Sequence, residues 1–363
     1  MGESSTPHNK TVKLADVARA AGVSQGTVSN VFNRPGLVSE QLRERVEEAA
    51  RSLGYRGPDP RGRLLRAGRV NAIGVVTIGP LNGFFDDQYT RLFLSGVARA
   101  CEARGAGISL VSATDDEIAA WNIRTALVDG FILNCLNEGN TLVELAKKRG
   151  LPFVAVDFPV GPGFDVVRID DYRGARQAAQ HLVDLGHRHF AVFTFETEKE
   201  VRVGFVDDVR AVRSSFEVVR RRLSGYRDAF RAAGLPPQPV FETGSEYDGV
   251  RTGVDAVLAA NPDTTAFVCT SDRVALHVMT YLRSLGRKVP GDFSVVGFDG
   301  IEEAASFSPS LTTIRQPGIG KGEAAVELIL GDKPDGAGGR VVELPIELVV
   351  GESTAPPRKG QAA

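Results

Sequence analysis

The sequence predicts a small α-helical helix-turn-helix head followed by a larger α/β body of two doubly wound parallel-sheet subdomains. Three observations predict it. The apolar pattern is helical up to about residue 56 and changes after a stretch rich in Pro, Gly and Arg at 57–69, GPDPRGRLLRAGR. Beyond it, short apolar runs alternate with amphipathic segments that end in Gly, the pattern of βαβ units. Finally, 363 residues exceed the roughly 250–300 that one hydrophobic core holds, so the body divides.

The head lies at 11–56, after a polar stretch at 1–10 expected to be a disordered tail. Leu14, Val17, Ala18 and Ala21 recur at helical spacing, and Gly22 follows, where a left-handed residue ends a helix without steric cost. Ser24 is a good N-cap for a second helix that carries Val28, Val31 and Phe32 on one face. Its other face offers Gln25, Gly26, Ser29, Asn30 and Asn33. Amides at such positions can pair bidentately with adenine edges, and Gly26 permits close approach of the backbone; the plainer reading is a solvated helix face. A third helix fits 39–54, capped by Ser39 and stopped by Gly54, with Leu42, Val46, Ala49, Ala50 and Leu53 as its apolar stripe. Two helices joined by a tight turn suit the major groove of DNA.

In the body, at 70–351, the runs AIGVV, ISLVSA, GFILNC, PFVAVDF, FAVFTF, AFVCT and FSVVGFD read as strands. Helical patterns at 89–105, 141–150, 177–186 and 273–286 lie between them. Residues 352–363 read as a second disordered tail.

Charge separates the two parts. Residues 1–69 hold twelve Lys and Arg against seven Asp and Glu, a net +5, whereas the rest carries −7. A basic head on an acidic body points to a polyanion partner for the head. Cys101, Cys135 and Cys269 stand far apart in apolar segments, which reads as core thiols in a reducing compartment. No apolar run reaches the ~20 residues that span a bilayer, and no basic-then-apolar leader opens the chain, so the expected location is the cytoplasm, away from membranes.

Nearly the whole chain resembles the LacI/GalR family of bacterial repressors. LADVARAAGVSQGTVSNVFN and VSEQLRERVEEAARSLGY follow that family's DNA-binding signature. AIGVV, VRIDDYRGARQAAQHLVDLGHR, SDRVAL, VPGDFSVVGFDG and SLTTIRQP follow in the expected order. The resemblance implies a periplasmic-binding-protein-like body with a ligand cleft. It also implies a homodimer, or a higher assembly of dimers, on a near-palindromic operator in double-stranded DNA. It assigns base preference to Gln25, Gly26 and Asn30, and supporting base or phosphate contacts to Ser24, Thr27, Ser29, Asn33 and Ser39. In the linker it places a minor-groove wedge at Leu65, with Gly62, Arg63 and Arg66 facing the groove or its phosphates. Here the chain departs from the family pattern: Gly57 is extra, and Pro60 and Gly62 stand where small helix formers are common. A hinge disordered off DNA is therefore expected.

For the cleft, the resemblance names Asn134, Asp157, Arg222, Asp272, Phe298 and Asp299, near the carboxyl ends of strands. Carboxylates and Arg fork onto the hydroxyls of a sugar, nucleoside or related polyol, and Phe298 or Tyr247 would stack on its apolar face. Phe84, Phe85 and Asp86 follow the first strand and would form one wall. Plainer roles exist: Asp272 as a helix cap, Asp157 as a structural carboxylate, Arg220 or Arg221 as the inward arginine in place of Arg222. The charged segment 196–219 is longer than the family's usual loop and leads to Arg222, either as a lid over the cleft or as a surface excursion.

The rival readings are an enzyme or an exported solute-binding protein on the same body fold. The sequence has no GxSxG, no HExxH and no Cys/His pair at useful spacing, and its histidines lack a metal-ligand cadence, so no catalysis, cofactor or metal is expected. GIGKGE at 318–323 lacks the Walker spacing and reads as a helix entry. The DNA-binding head and the absence of a leader argue against export.

Overall fold

A computed structural model describes residues 12–57, 68–77, 79–113, 116–137, 141–332 and 339–358. The chain forms two compact units, one ending at Val70 and one beginning at Asn71.

In the first unit, α1 (Leu14–Ala21) ends at Gly22, whose φ of 65° is the left-handed conformation the sequence anticipates. The Ser24 side chain accepts a hydrogen bond from the Thr27 amide and starts α2 (Gln25–Asn33). A single 3₁₀ turn, Pro35–Leu37, leads to α3 (Glu40–Leu53), which Gly54 closes with φ 67°. Val17, Ala18, Val28, Val31, Val46 and Ala50 are buried together between the three helices, and Phe32 packs edge-on against Tyr55.

The second unit contains two sheets. The first comprises β1 (Ala72–Thr77), β2 (Gly107–Ser112), β3 (Gly130–Asn134), β4 (Phe153–Val156), β5 (Asp165–Arg168) and β12 (Val341–Glu343), in spatial order β12-β5-β4-β3-β1-β2 and entirely parallel. The short α4 (Gly83–Asp86), α5 (Gln88–Ala103), α6 (Asp116–Thr125) and α7 (Thr141–Lys148) connect its strands. The chain then passes through α8 (Asp171–Asp184) to the second sheet.

That sheet holds β6 (Phe190–Thr194), β7 (Gly204–Val206), β8 (Val240–Glu242), β9 (Ala266–Cys269), β10 (Ser294–Asp299), β11 (Thr312–Arg315) and β13 (Glu347–Val349). Its order is β13-β11-β10-β9-β6-β8-β7, with β13 and β7 antiparallel at the edges. Its helices are α9 (Asp208–Val212), α10 (Glu217–Ala232), α11 (Tyr247–Ala260), α12 (Asp272–Ser284) and α13 (Glu302–Ser306). After β11 the chain returns through α14 (Gly318–Leu330) to β12 and crosses once more to β13. Each sheet has a hydrophobic core on both faces, which is the doubly wound arrangement.

Helix α14 lies unusually close to α5. A Cβ on Gly96 would strike the Ile319 carbonyl, and one on Gly322 would strike the Phe93 carbonyl. Only glycine permits this approach, which fixes the returning chain, and with it Lys321, against the first sheet.

Three expectations need correction. The helix read at 177–186 begins at Asp171, because Asp170 caps it by accepting from the Arg173 amide. Segment 196–219 is neither a lid nor a loose excursion. It supplies the edge strand β7, paired with β8, and then α9. A fully buried carboxylate, Glu242, organises it: Glu242 accepts from the Thr197 amide (3.1 Å), the Thr197 hydroxyl (2.5 Å), the Arg202 amide (2.6 Å) and the Arg210 guanidinium (2.6 Å). Charge density suggested solvation, but one buried acid gathers the polar groups. Residues 352–358 are likewise not a disordered tail. Ser353 is fully buried, and its hydroxyl donates to the Val295 carbonyl and accepts from the Thr312 amide. The Ala355 carbonyl accepts from Ser294 and lies 2.9 Å from His187 Nε2. These polar residues satisfy open backbone groups at the start of β10 and β11, which the composition of the segment conceals.

Candidate functional site

The first candidate surface is α2. Its apolar face is spent on the head's core, which leaves Gln25, Gly26, Asn30 and Asn33 exposed. The residues expected to support contacts are partly engaged within the helix. Ser24 Oγ lies 2.9 Å from Thr27 Oγ1, and Asn33 donates to Ser29 Oγ at 3.1 Å. These bonds hold the N-terminal turn and stiffen the outward face. Ser39 stands at the N-cap of α3 without a side-chain capping bond. Gly62, Arg63 and Leu65 lie outside the described residues.

The second candidate site lies at the carboxyl ends of the parallel strands. Asp157 directly follows β4 and Asp299 ends β10, with φ values of +60° and +135°. Cys135, after β3, has φ +50°. Such angles are costly for non-glycine residues and cluster at functional sites. Asn134 ends β3 in the same layer, buried, in register with Thr77 and Val156.

A continuous polar chain joins the two carboxylates. Lys321, fully buried, donates to Asp157 Oδ2 (2.5 Å) and to Gln316 Oε1 (2.6 Å). The Tyr89 hydroxyl donates to the same Gln316 oxygen (3.0 Å), and Gln316 Nε2 donates to Asp299 Oδ1 (2.7 Å). Arg222 Nη1 stands 3.6 Å from Asp299 Oδ1 and donates to the Thr270 carbonyl, while Nε donates to Asp171 (2.8 Å). The network thus runs from the first sheet, through the crossover residue Gln316, to the second sheet.

Burial governs its electrostatics. Desolvation pushes the Asp157 carboxyl up, against the pull of Lys321, and pushes Asp299 well up, against Arg222. It also raises the Cys135 thiol to about 12. Burial opposes the charge of Arg222, but Asp171 and Asp299 outweigh it and hold the guanidinium protonated. One buried acceptor, Asp157 Oδ1, has no hydrogen-bond partner among the described residues.

Of the expected cleft residues, the structure brings Asp157, Arg222 and Asp299 into this network. It also decides among the arginines: Arg220 pairs with Glu217 and Arg221 with Asp170, so Arg222 is the inward one. Phe85 sits on α4 with its ring largely exposed, whereas Phe84 is buried. Three residues do not take the expected part. Asp272 is fully buried and its carboxylate is consumed by the scaffold: Thr313 donates to Oδ1 (2.5 Å), and the Gly300 and Ile301 amides donate to Oδ2. It pins β11 and the turn after β10, while Ser271 caps α12. Phe298 cannot stack on a ligand, because it is fully buried and the Arg222 guanidinium lies 3.7 Å from its ring centre. The strand's two-residue alternation turns it, with Val296, toward α8 and α10. Tyr247 packs edge-on against His277 and Tyr281 of α12.

Sequence reasoning missed Lys321, Gln316, Asp171 and Tyr89. Lys321 carried a signal: the buried stripe of α14 runs through Gly318, Gly322, Ala325 and Ile329, and a lysine beside it needs a partner.

Residues 13–57 match the family described as bacterial regulatory proteins, lacI family, and residues 179–354 match the periplasmic binding protein-like domain. The chain is 40% identical to the HTH-type transcriptional regulator Rv3575c of Mycobacterium tuberculosis, over 98% of this chain and 99% of that protein. Among solved structures, it resembles the complex of the transcriptional regulator CelR with cellobiose. That match has 28% identity and a TM-score of 0.68, over 94% of this chain and 99% of the other. It also resembles the lac repressor dimer bound to operator and the anti-inducer ONPF, with 25% identity and a TM-score of 0.72, over 95% and 100% of the two chains.

Proposed function

Because the chain belongs to the lacI family of bacterial regulatory proteins, we propose that it is a cytoplasmic, non-enzymatic repressor that binds a near-palindromic operator as a homodimer and responds to a neutral polyol. The observation that carries the DNA-binding half is α2, capped by Ser24, with Gln25, Gly26 and Asn30 facing outward over a packed three-helix core. Two such helices related by two-fold symmetry read two half-sites. Phosphate contacts from the basic head position it, and the amides on α2 read base edges.

The ligand half rests on the polar chain between Asp157 and Asp299. Its three carboxylates, Asp157, Asp171 and Asp299, already match or exceed its two cations, Lys321 and Arg222. An anionic effector would find no spare positive charge there. A hydroxyl donor finds Asp157 Oδ1. This fits the cellobiose held by the similar regulator CelR. An effector that reorganises Gln316 or Lys321 changes how the two subdomains are joined. It alters operator affinity only through different affinities for the two arrangements.

Selection from random duplexes, followed by titration of the winning site in rising salt, tests the proposal. An inverted repeat whose affinity falls steeply with salt is expected. Equal affinity for all duplexes would overturn it. A thermal-shift panel of neutral sugars and cyclic polyols beside their phosphate esters tests the ligand half. Stabilisation by the esters in preference to the neutral compounds would overturn it.

A further inference from the structure

A cavity of about 580 Å³ lies outside the polar chain, and none of Asp157, Asp171, Arg222, Asp299, Gln316 and Lys321 lines it. It is bounded by α10 on one side and by α9, from the long 196–219 segment, on the other. Its volume falls in the range of small-molecule sites, roughly 300–1,000 Å³.

The lining has two characters. Val192, Leu223, Phe230, Leu235 and Val240 form an apolar floor, with Ala211 and Val212 on the α9 wall. The rim carries Arg220, Arg221, Arg227 and Arg231 beside Asp208 and Glu217; Arg220 is paired with Glu217 and Arg221 with Asp170, which leaves Arg227 and Arg231 to meet a ligand. Helical spacing explains the separation, since Arg220, Arg227 and Arg231 share one stripe of α10 while Leu223 and Phe230 are on the packed face. Arg227 and Arg231 are largely exposed, and both lean on the single carboxylate of Asp228.

We propose that this cavity is a binding site for a small amphipathic acid, an aliphatic or aromatic body carrying one carboxylate. The apolar part fills the floor and the carboxylate meets the arginine rim. A neutral polyol lacks the apolar body, and an amphipathic cation would leave unanswered the two guanidinium groups, Arg227 and Arg231, that share the one carboxylate of Asp228. The long segment supplies a wall of the site, so its ordered fold around Glu242 is a condition for binding.

Octanoate, octan-1-ol and octylamine, titrated calorimetrically into the full-length protein, test the proposal. Octanoate is expected to bind once per chain, at least tenfold more tightly than either of the other two. Arg227→Gln combined with Arg231→Gln should weaken octanoate at least fivefold, and Ala211→Trp should abolish binding by filling the space. A photo-reactive diazirine analogue of octanoate should label peptides within 208–240 in the unaltered protein, which keeps the location testable if Ala211→Trp does not fold. The proposal is overturned by no octanoate binding at millimolar concentration. Equal or tighter binding of octanol or octylamine, labelling elsewhere, or full binding by a folded Ala211→Trp variant also overturns it.

Discussion

Replacing Arg222 by Met should destabilise the body strongly. The side chains of its partners Asp171 and Asp299 are only 4% and 9% exposed, so neither gains hydration when the guanidinium is lost. Removing one partner of a buried ion pair costs about 3–5 kcal/mol, because the remaining charge is stranded. The loss also removes the bond to the Thr270 carbonyl and the stacking on Phe298, while Met refills much of the volume. The expected loss is therefore about 3–5 kcal/mol, read as a fall in the urea midpoint of the full-length protein at pH 8. Adding Asp171→Asn should restore part of it by removing one stranded charge. The sign of the pH dependence follows. Burial already pushes the Asp299 carboxyl up against the pull of Arg222, so without the guanidinium it takes up its proton at higher pH than in the parent, and the difference should shrink between pH 8 and pH 5. A loss under about 1 kcal/mol, or one that is the same at both pH values, would refute the view that Arg222 neutralises this site.

Asn30→Ala and Gln25→Ala should relax base preference at particular operator positions by about 1–3 kcal/mol per bidentate pair, as measured on single-base operator variants; a uniform loss across all variants contradicts direct readout. Asp299→Ala should remove the operator-binding response to a ligand identified in the thermal-shift panel while leaving ligand-free operator affinity near that of the parent, and an undiminished response would place the ligand elsewhere. Arg210→Met should cost roughly 1–3 kcal/mol and raise protease cleavage within 196–213, since Glu242 loses its charged donor; unchanged proteolysis would sink that account of the segment. Burial raises the Asp272 carboxyl to about 6, above its ordinary 3.8. Its ionisation therefore penalises the folded state above pH 6, and the penalty fades as pH falls through 6 and is gone below 3.8. Relative to Asp272→Asn, the parent should gain up to about 3 kcal/mol on acidification across this window, and a flat difference in unfolding free energy would disprove the shift.

Much of the candidate site was legible from local pattern. Gly22, Ser24 and Gly54 fix the ends of the head's helices through backbone conformation and capping, which depend on neighbours a few residues away. Asp157 and Asp299 stand at the carboxyl ends of apolar runs, which parallel strands deliver to one layer, and the family resemblance singled them out there. The resemblance also named Arg222 but could not say what its guanidinium would touch.

By itself, then, the sequence determined the helix-turn-helix head, the alternation that builds two parallel sheets, and the outward amides of α2, because periodicity and capping are local. Tertiary structure decided how each polar side chain is spent. It consumed Asp272 in three hydrogen bonds, covered Phe298 with Arg222, and drew Lys321 from α14 onto Asp157, 164 residues earlier in the chain. It also folded 196–219 around Glu242 and laid Ser353 against β10. The physical reason is common to all of these. A buried polar group must find a partner, and which partner is within 3 Å depends on contacts between distant segments that no local pattern encodes.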